Sequence, residues 1–126
     1  MSERSLISIV DDDHSFRDSM RRLLRSLGYP VAVFPSAGEF LASPKLAATA
    51  CLVADVHMPA MTGIELYKQL IENGYAIPTI LVTAYPDDRV QERMLASGVE
   101  CYLGKPLEEA HLISCLASIF ARGTQP

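Results

Sequence analysis

Two short runs near the middle of the chain, "CLVA" at residues 51–54 and "TILV" at residues 79–82, read as continuously apolar. A strand with one wet face alternates apolar and polar side chains. These two do not, so both of their faces must be covered. That requirement excludes a sheet with one side open to water. Around them, strand-like runs alternate with amphipathic stretches at helical spacing. Strands of about five residues alternating with helices of ten or more specify a parallel sheet with helices on both faces.

The other elements follow the same alternation. Strand one is Leu6 to Val10, and helix one carries Phe16, Met20, Leu23, Leu24 and Leu27 on one face, with Gly28 as its stop. Strand two is residues 30–35, after which Ser36 and Glu39 have the spacing of a capping box for a short second helix. Strand three, Cys51 to Ala54, runs into Asp55 and the loop "VHMPAMTG". Helix three carries Ile64, Tyr67, Leu70 and Ile71 and closes at Asn73-Gly74. Strand four is residues 78–83, and Asp87-Asp88-Arg89 opens helix four, with Val90, Met94 and Leu95. Strand five is Glu100 to Leu103, and helix five carries Leu112, Ile113, Leu116, Ile119 and Phe120. Right-handed crossovers leave few arrangements of five such units. The expected fold is α/β: a single-domain flavodoxin-like (βα)5 parallel sheet in strand order 2-1-3-4-5, helices on both faces.

A length of 126 residues suits one domain, and a hydrophobic fraction of 49% supplies its core. The net charge of −4 argues against direct nucleic-acid contact or an anionic membrane surface, either of which favours a basic face. No apolar run approaches the ~18 residues of a membrane span. The start, "MSERSLISIV", lacks the basic start and long apolar centre of a signal peptide, so the expected location is cytoplasmic. Cys51, Cys101 and Cys115 are odd in number, form no C-x-x-C and sit in apolar runs, which predicts three reduced, buried thiols.

In a sheet of this order, function gathers beyond the carboxyl ends of the strands. Strand one is followed there by Asp11, Asp12 and Asp13, strand three by Asp55, strand four by Thr83 and strand five by Lys105-Pro106. Strands one, three, four and five are neighbours in that order, so these residues converge around Asp55. Carboxylates so crowded need counter-charge, and Lys105 supplies only one positive charge. Oxygen-only donors suit Mg2+ (or Mn2+), which keeps several waters and meets phosphate oxygens readily. A cation, an ammonium and a hydroxyl around one carboxylate make a phosphoryl-transfer site with Asp55 as the nucleophile. Capping explains Asp13, with His14 able to share that role, but not Asp11 and Asp12.

The four segments "IVDDD", "LVADVHMPAMTG", "ILVTAY" and "GKP", in this order and each at a strand end, resemble the receiver domain of bacterial two-component response regulators. The resemblance spans residues 5 to about 121, so residues 1–126 are expected to be one receiver domain with a short polar tail at 122–126. "FPSAGEFL" is most similar to the FixJ-type branch. The resemblance implies that Asp55 accepts a phosphoryl group from a sensor histidine kinase or phosphotransfer protein. It implies Mg2+ ligation by Asp12, Asp55 and the backbone carbonyl of His57, with Asp11 holding a metal-bound water. Thr83 and Lys105 would contact the phosphoryl group, Thr83 and Tyr102 would form the switch, and the Lys105-Pro106 bond would be cis. His57 and Tyr85 would tune the lifetime of the phosphoryl group. The face of helix four, strand five and helix five would bind a partner or homodimerise on phosphorylation. Members of the FixJ branch carry a DNA-binding effector domain after a linker. Either that domain lies outside this sequence or the receiver stands alone.

Such a domain is no enzyme toward other substrates; it catalyses only its own phosphorylation and dephosphorylation. The alternative from another class is an aspartate-nucleophile phosphatase of the haloacid-dehalogenase type. It requires a second aspartate two positions after the nucleophile, where this chain has His57, and its nucleophile follows the first strand.

Overall fold

A computed structural model describes residues 5–123. The elements run β1 (Ile7–Val10), α1 (His14–Ser26), β2 (Val31–Phe34), α2 (Ala37–Leu41), a 3-10 turn (Pro44–Ala48), β3 (Cys51–Asp55), α3 (Gly63–Glu72), β4 (Thr79–Thr83), α4 (Asp88–Ala96), β5 (Cys101–Gly104) and α5 (Glu109–Gly123). The sheet has five parallel strands in the order β2-β1-β3-β4-β5, as the alternation predicts. The 3-10 turn is an addition to the expected elements; Ser43 caps it and Pro44 opens it.

The two-residue period of a strand sorts the core into two layers. On one side Ile7, Ile9, Cys51, Val53, Ile80 and Val82 pack with Met20 and Leu24 of α1 and Leu112, Leu116 and Ile119 of α5. On the other, Val10, Leu52, Ala54 and Leu81 pack with Phe40 of α2, Leu66 and Leu70 of α3 and Met94 of α4. Each fully buried Leu or Ile is worth about 1.5–3 kcal/mol of transfer free energy. "CLVA" is buried at every position because it lies between both layers.

Some expected core positions fall outside. Leu27, Ile71, Leu95 and Ile113 are exposed, whereas Leu66 is fully buried on α3. Ile71, Leu95 and Ile113 each follow a buried residue and so stand about 100° further round the helix, whereas Leu27 is the C-cap beyond the end of α1. Asp13 caps α1 by accepting from the N–H groups of Ser15 and Phe16, and His14 is already the first helical residue. Asp87 caps α4 in the same way. Ser36 accepts from the Glu39 N–H, but the reciprocal capping box forms on α3, between Thr62 and Glu65.

The cysteines correct the expectation of three reduced thiols. Cys101 on β5 and Cys115 on α5 are joined in a disulfide, and only Cys51 is free and buried. The return of α5 across β5 brings together two residues whose separation of 14 carries no pairing signal in sequence. Of the expected 122–126 tail, α5 takes in 122 and 123, and the remainder lies outside the described residues.

Candidate functional site

Strand register explains why the polar residues meet. Val10 pairs with Ala54, so Asp11 emerges beside Asp55. Asp55 pairs with Val82, which sets Thr83 one step further along β4. Thr83 pairs with Gly104, and Lys105 comes at the next level. Asp11 and Asp55 thus stand side by side, and Thr83 and Lys105 follow at the next two levels of the same sheet edge.

Asp11 is fully buried and fully engaged. Its Oδ1 accepts from the Asp13 N–H at 2.9 Å and its Oδ2 accepts from Lys105 Nζ at 2.8 Å. Its carbonyl accepts from the Arg17 guanidinium at 2.8 Å. Lys105 Nζ lies 3.7 Å from Asp55 Oδ2. The Asp55 Oδ1 accepts from the His57 N–H at 3.2 Å. Asp12 is exposed.

One ammonium faces three carboxylates. Burial, then the charge of Asp11 and more weakly that of Asp12, push the Asp55 carboxyl above its ordinary value; the His57 N–H and Lys105 offset only part of this. Burial opposes the Lys105 ammonium, but the hydrogen bond to Asp11 and the charges of Asp11, Asp55 and Asp13 outweigh it and hold its pKa above the usual lysine range. Carboxylate oxygens of Asp11, Asp12 and Asp55 lie within 4.8 Å of one another. This oxygen-only, electron-rich cluster fits a hard divalent cation such as Mg2+.

The loop between β4 and α4 is held at two points. Thr83 Oγ1 accepts from the Tyr85 N–H at 3.0 Å. Tyr102, buried against the α4 layer, accepts through its hydroxyl from the Asp87 N–H at 3.3 Å. The rings of His57 and Tyr85 meet edge to face at 5.5 Å between centroids. They border a groove of about 420 Å³ that also touches Val56, Thr62, Val90 and Tyr102. The Lys105-Pro106 peptide is cis.

Three contributors escaped the reading of the sequence. Phe16, expected only as a core residue of α1, is half-buried and lies under the Lys105 ammonium, 4.2 Å from ring centroid to Nζ. Arg17 holds the Asp11 carbonyl from the next position on α1. Gly63 packs so tightly on the Asp55 backbone that a Cβ there would collide with the Asp55 carbonyl. Only Gly63 carried a signal, as a glycine closing the loop after the aspartate.

Residues 7–117 match the family model of the response regulator receiver domain. The chain belongs to that family. The receiver is 35% identical over 117 residues to the response regulator protein TodT of Pseudomonas putida, covering 92% of this chain and 52% of that one. It is 32% identical over 118 residues to the transcriptional regulatory protein FixJ of Bradyrhizobium diazoefficiens, covering 94% of this chain and 58% of that one. It therefore spans about half the length of the curated relatives it matches. Among solved structures, the response regulator StyR superposes with a TM-score of 0.85 at 37% identity, covering 93% of this chain and 59% of that one. The FixJ-N structure superposes with a TM-score of 0.79 at 29% identity, covering 90% and 91%. The receiver is thus a two-component signalling module with the flavodoxin-like fold, of the FixJ type among others. Among the described residues no helix is long and apolar enough to cross a membrane.

Proposed function

We propose that this receiver accepts a phosphoryl group on Asp55 from the phosphohistidine of a sensor kinase or phosphotransfer protein, in a reaction dependent on Mg2+ or Mn2+. The observation that carries the proposal is the cluster of three carboxylates whose oxygens lie within 4.8 Å and which one lysine cannot neutralise. Asp12, Asp55 and the His57 carbonyl are the proposed ligands. Asp11, with both oxygens already occupied by hydrogen bonds, is suited to a cation-bound water. When bound, the cation supplies positive charge against the phosphoryl oxygens.

The chain's own residues do the rest. The Asp55 carboxylate attacks phosphorus, the new O–P bond forms as the N–P bond breaks, and the imidazole leaves with the bonding pair. Lys105, already 3.7 Å from Asp55, is placed to meet a phosphoryl oxygen as charge builds there. The Thr83 hydroxyl accepts from Tyr85 N–H and so keeps its own O–H to donate to a second. A Thr83 drawn toward the phosphoryl group releases Tyr85, while Tyr102 still grips Asp87 at the other end of the same loop. This couples Asp55 to the face of α4, β5 and α5, where a partner or a second copy would dock. His57 and Tyr85, packed ring to ring at the mouth, set water access and the lifetime of the acyl phosphate. The match to a protein named as a transcriptional regulatory protein supports transcription as the output.

Intact mass spectrometry after incubation with Mg2+ and a small acyl-phosphate donor tests the proposal. The expected result is a gain of one phosphoryl group, absent with chelator and absent in Asp55→Asn. No gain in the wild type, where a control receiver reacts, overturns it.

A further inference from the structure

We infer that Cys101 and Cys115 form a reversible dithiol–disulfide couple that sets the rigidity of the segment carrying Tyr102 and Lys105. The two Cα atoms are 6.6 Å apart, within the span a disulfide bridges. Both residues are half-buried, at the edge of the layer formed by α1, α5 and the sheet. The loop they close contains Tyr102, Gly104, Lys105 and Pro106. β5 is the outermost strand of the sheet, paired among the described residues with β4, and α4 and α5 both pack on it. A covalent bond between Cys101 and Cys115 ties this outermost strand to α5.

The third cysteine is excluded from the exchange by its setting. Cys51 is fully buried in the central strand β3, and burial, aided by the charge of Glu100, pushes its thiol up to about 12. Thiolates are the reactive species, so Cys51 is inert in the folded protein. With three cysteines in the chain, Cys101 and Cys115 have no other intramolecular partner open to them.

The co-reactant is a low-molecular-weight disulfide of the glutathione class. The thiolate of one cysteine attacks it, forming a mixed disulfide and releasing one small thiol. The second cysteine then displaces the other, forming the Cys101–Cys115 bond. The protein gives up two electrons and two protons, and the small disulfide is reduced to two thiols. Exchange in an excess of the small thiol runs the same steps backward.

The test equilibrates the protein, from the reduced and the oxidised side, in glutathione buffers of graded ratio. Folded protein is then alkylated with a maleimide and weighed intact. The expected result is an uptake of two maleimides in reducing buffer and none in oxidising buffer, with the same midpoint from both directions. Hydrogen exchange in residues 101–115 should slow on oxidation, and Tm should rise by roughly 10 °C. Cys115→Ser should lose both responses. A persistent single glutathione adduct, a disulfide-linked dimer, or equal exchange in both states overturns the inference. Phosphoryl uptake by Asp55 is measured separately in each state, so failure here and failure of the phosphoacceptor reading are distinguishable.

Discussion

Lys105 is bonded to Asp11 at 2.8 Å but stands 3.7 Å from Asp55, the residue it is proposed to serve. The lysine is thus held by the fully buried carboxylate and lies within a short displacement of the proposed phosphoacceptor. Phe16 beneath it restricts where the ammonium can go. The ion pair belongs to the fold as much as to the chemistry.

Lys105→Met should therefore lower stability as well as phosphoryl acceptance. Removing it strips the buried Asp11 of its counter-charge, a loss of about 1–3 kcal/mol once the lysine's partial exposure is allowed for. Urea denaturation in chelator would read the first effect and acyl-phosphate labelling the second. A variant as stable as the wild type would show that Asp11 does not need this partner.

Asp55→Asn should stabilise the metal-free protein at neutral pH. The folded-state pKa of Asp55 lies above its ordinary value of 3.8. A carboxyl shifted in this direction contributes stability that is full below the unfolded pKa and is lost as pH rises through the folded one. Wild type and variant should converge in Tm near pH 4 and diverge, with the variant higher, toward pH 7. Mg2+ should stabilise the wild type by about 2.7 kcal/mol at a hundredfold excess over Kd, and the variant by less. Thermal melts across pH, with and without Mg2+, check both statements.

Gly63→Ala should damage the site through the backbone. The added Cβ collides with the Asp55 carbonyl, which cannot swing away as a side chain would. A cost of about 1–3 kcal/mol is expected for such overpacking. Phosphoryl uptake should slow even at temperatures where the variant is fully folded. Unchanged uptake would mean that the Asp55 backbone has room to move.

Tyr102→Phe should loosen the start of α4 while leaving the ring in place. The lost partner of the Asp87 N–H is worth about 1 kcal/mol. Hydrogen exchange at Asp87 and Asp88 should quicken, whereas metal-dependent labelling of Asp55 should persist. A simultaneous loss of labelling would place Tyr102 in the chemistry rather than in its transmission.

The sheet order and the convergence of Asp11, Asp12, Asp55, Thr83 and Lys105 were legible because both derive from periodicity. Apolar runs mark the strands, and the residues just past the carboxyl ends of parallel strands must share one edge of the sheet. Helix faces were less legible: Ile71 and Leu66 are both apolar, and only packing decides that Leu66 is inside. Contacts across elements left no local trace. Nothing near Phe16 announces a lysine from the far end of the chain, and nothing in "MPAMTG" shows that Ala60 adopts a left-handed backbone with φ of 68°. The Cys101–Cys115 bond was hidden for the same reason.

The Lys105–Asp11 contact joins residues 94 positions apart, from the ends of β5 and β1 with β3 and β4 between them. No contiguous piece of the chain shorter than most of its length contains the whole site. Cation binding and phosphoryl uptake at the proposed site would therefore report on the assembly of β1, β3, β4 and β5, four of the five strands. Two fragments divided in the polar loop before α4 would each be silent, and a signal on mixing them would measure their reunion. The site can serve as a complementation reporter whose background is set by topology.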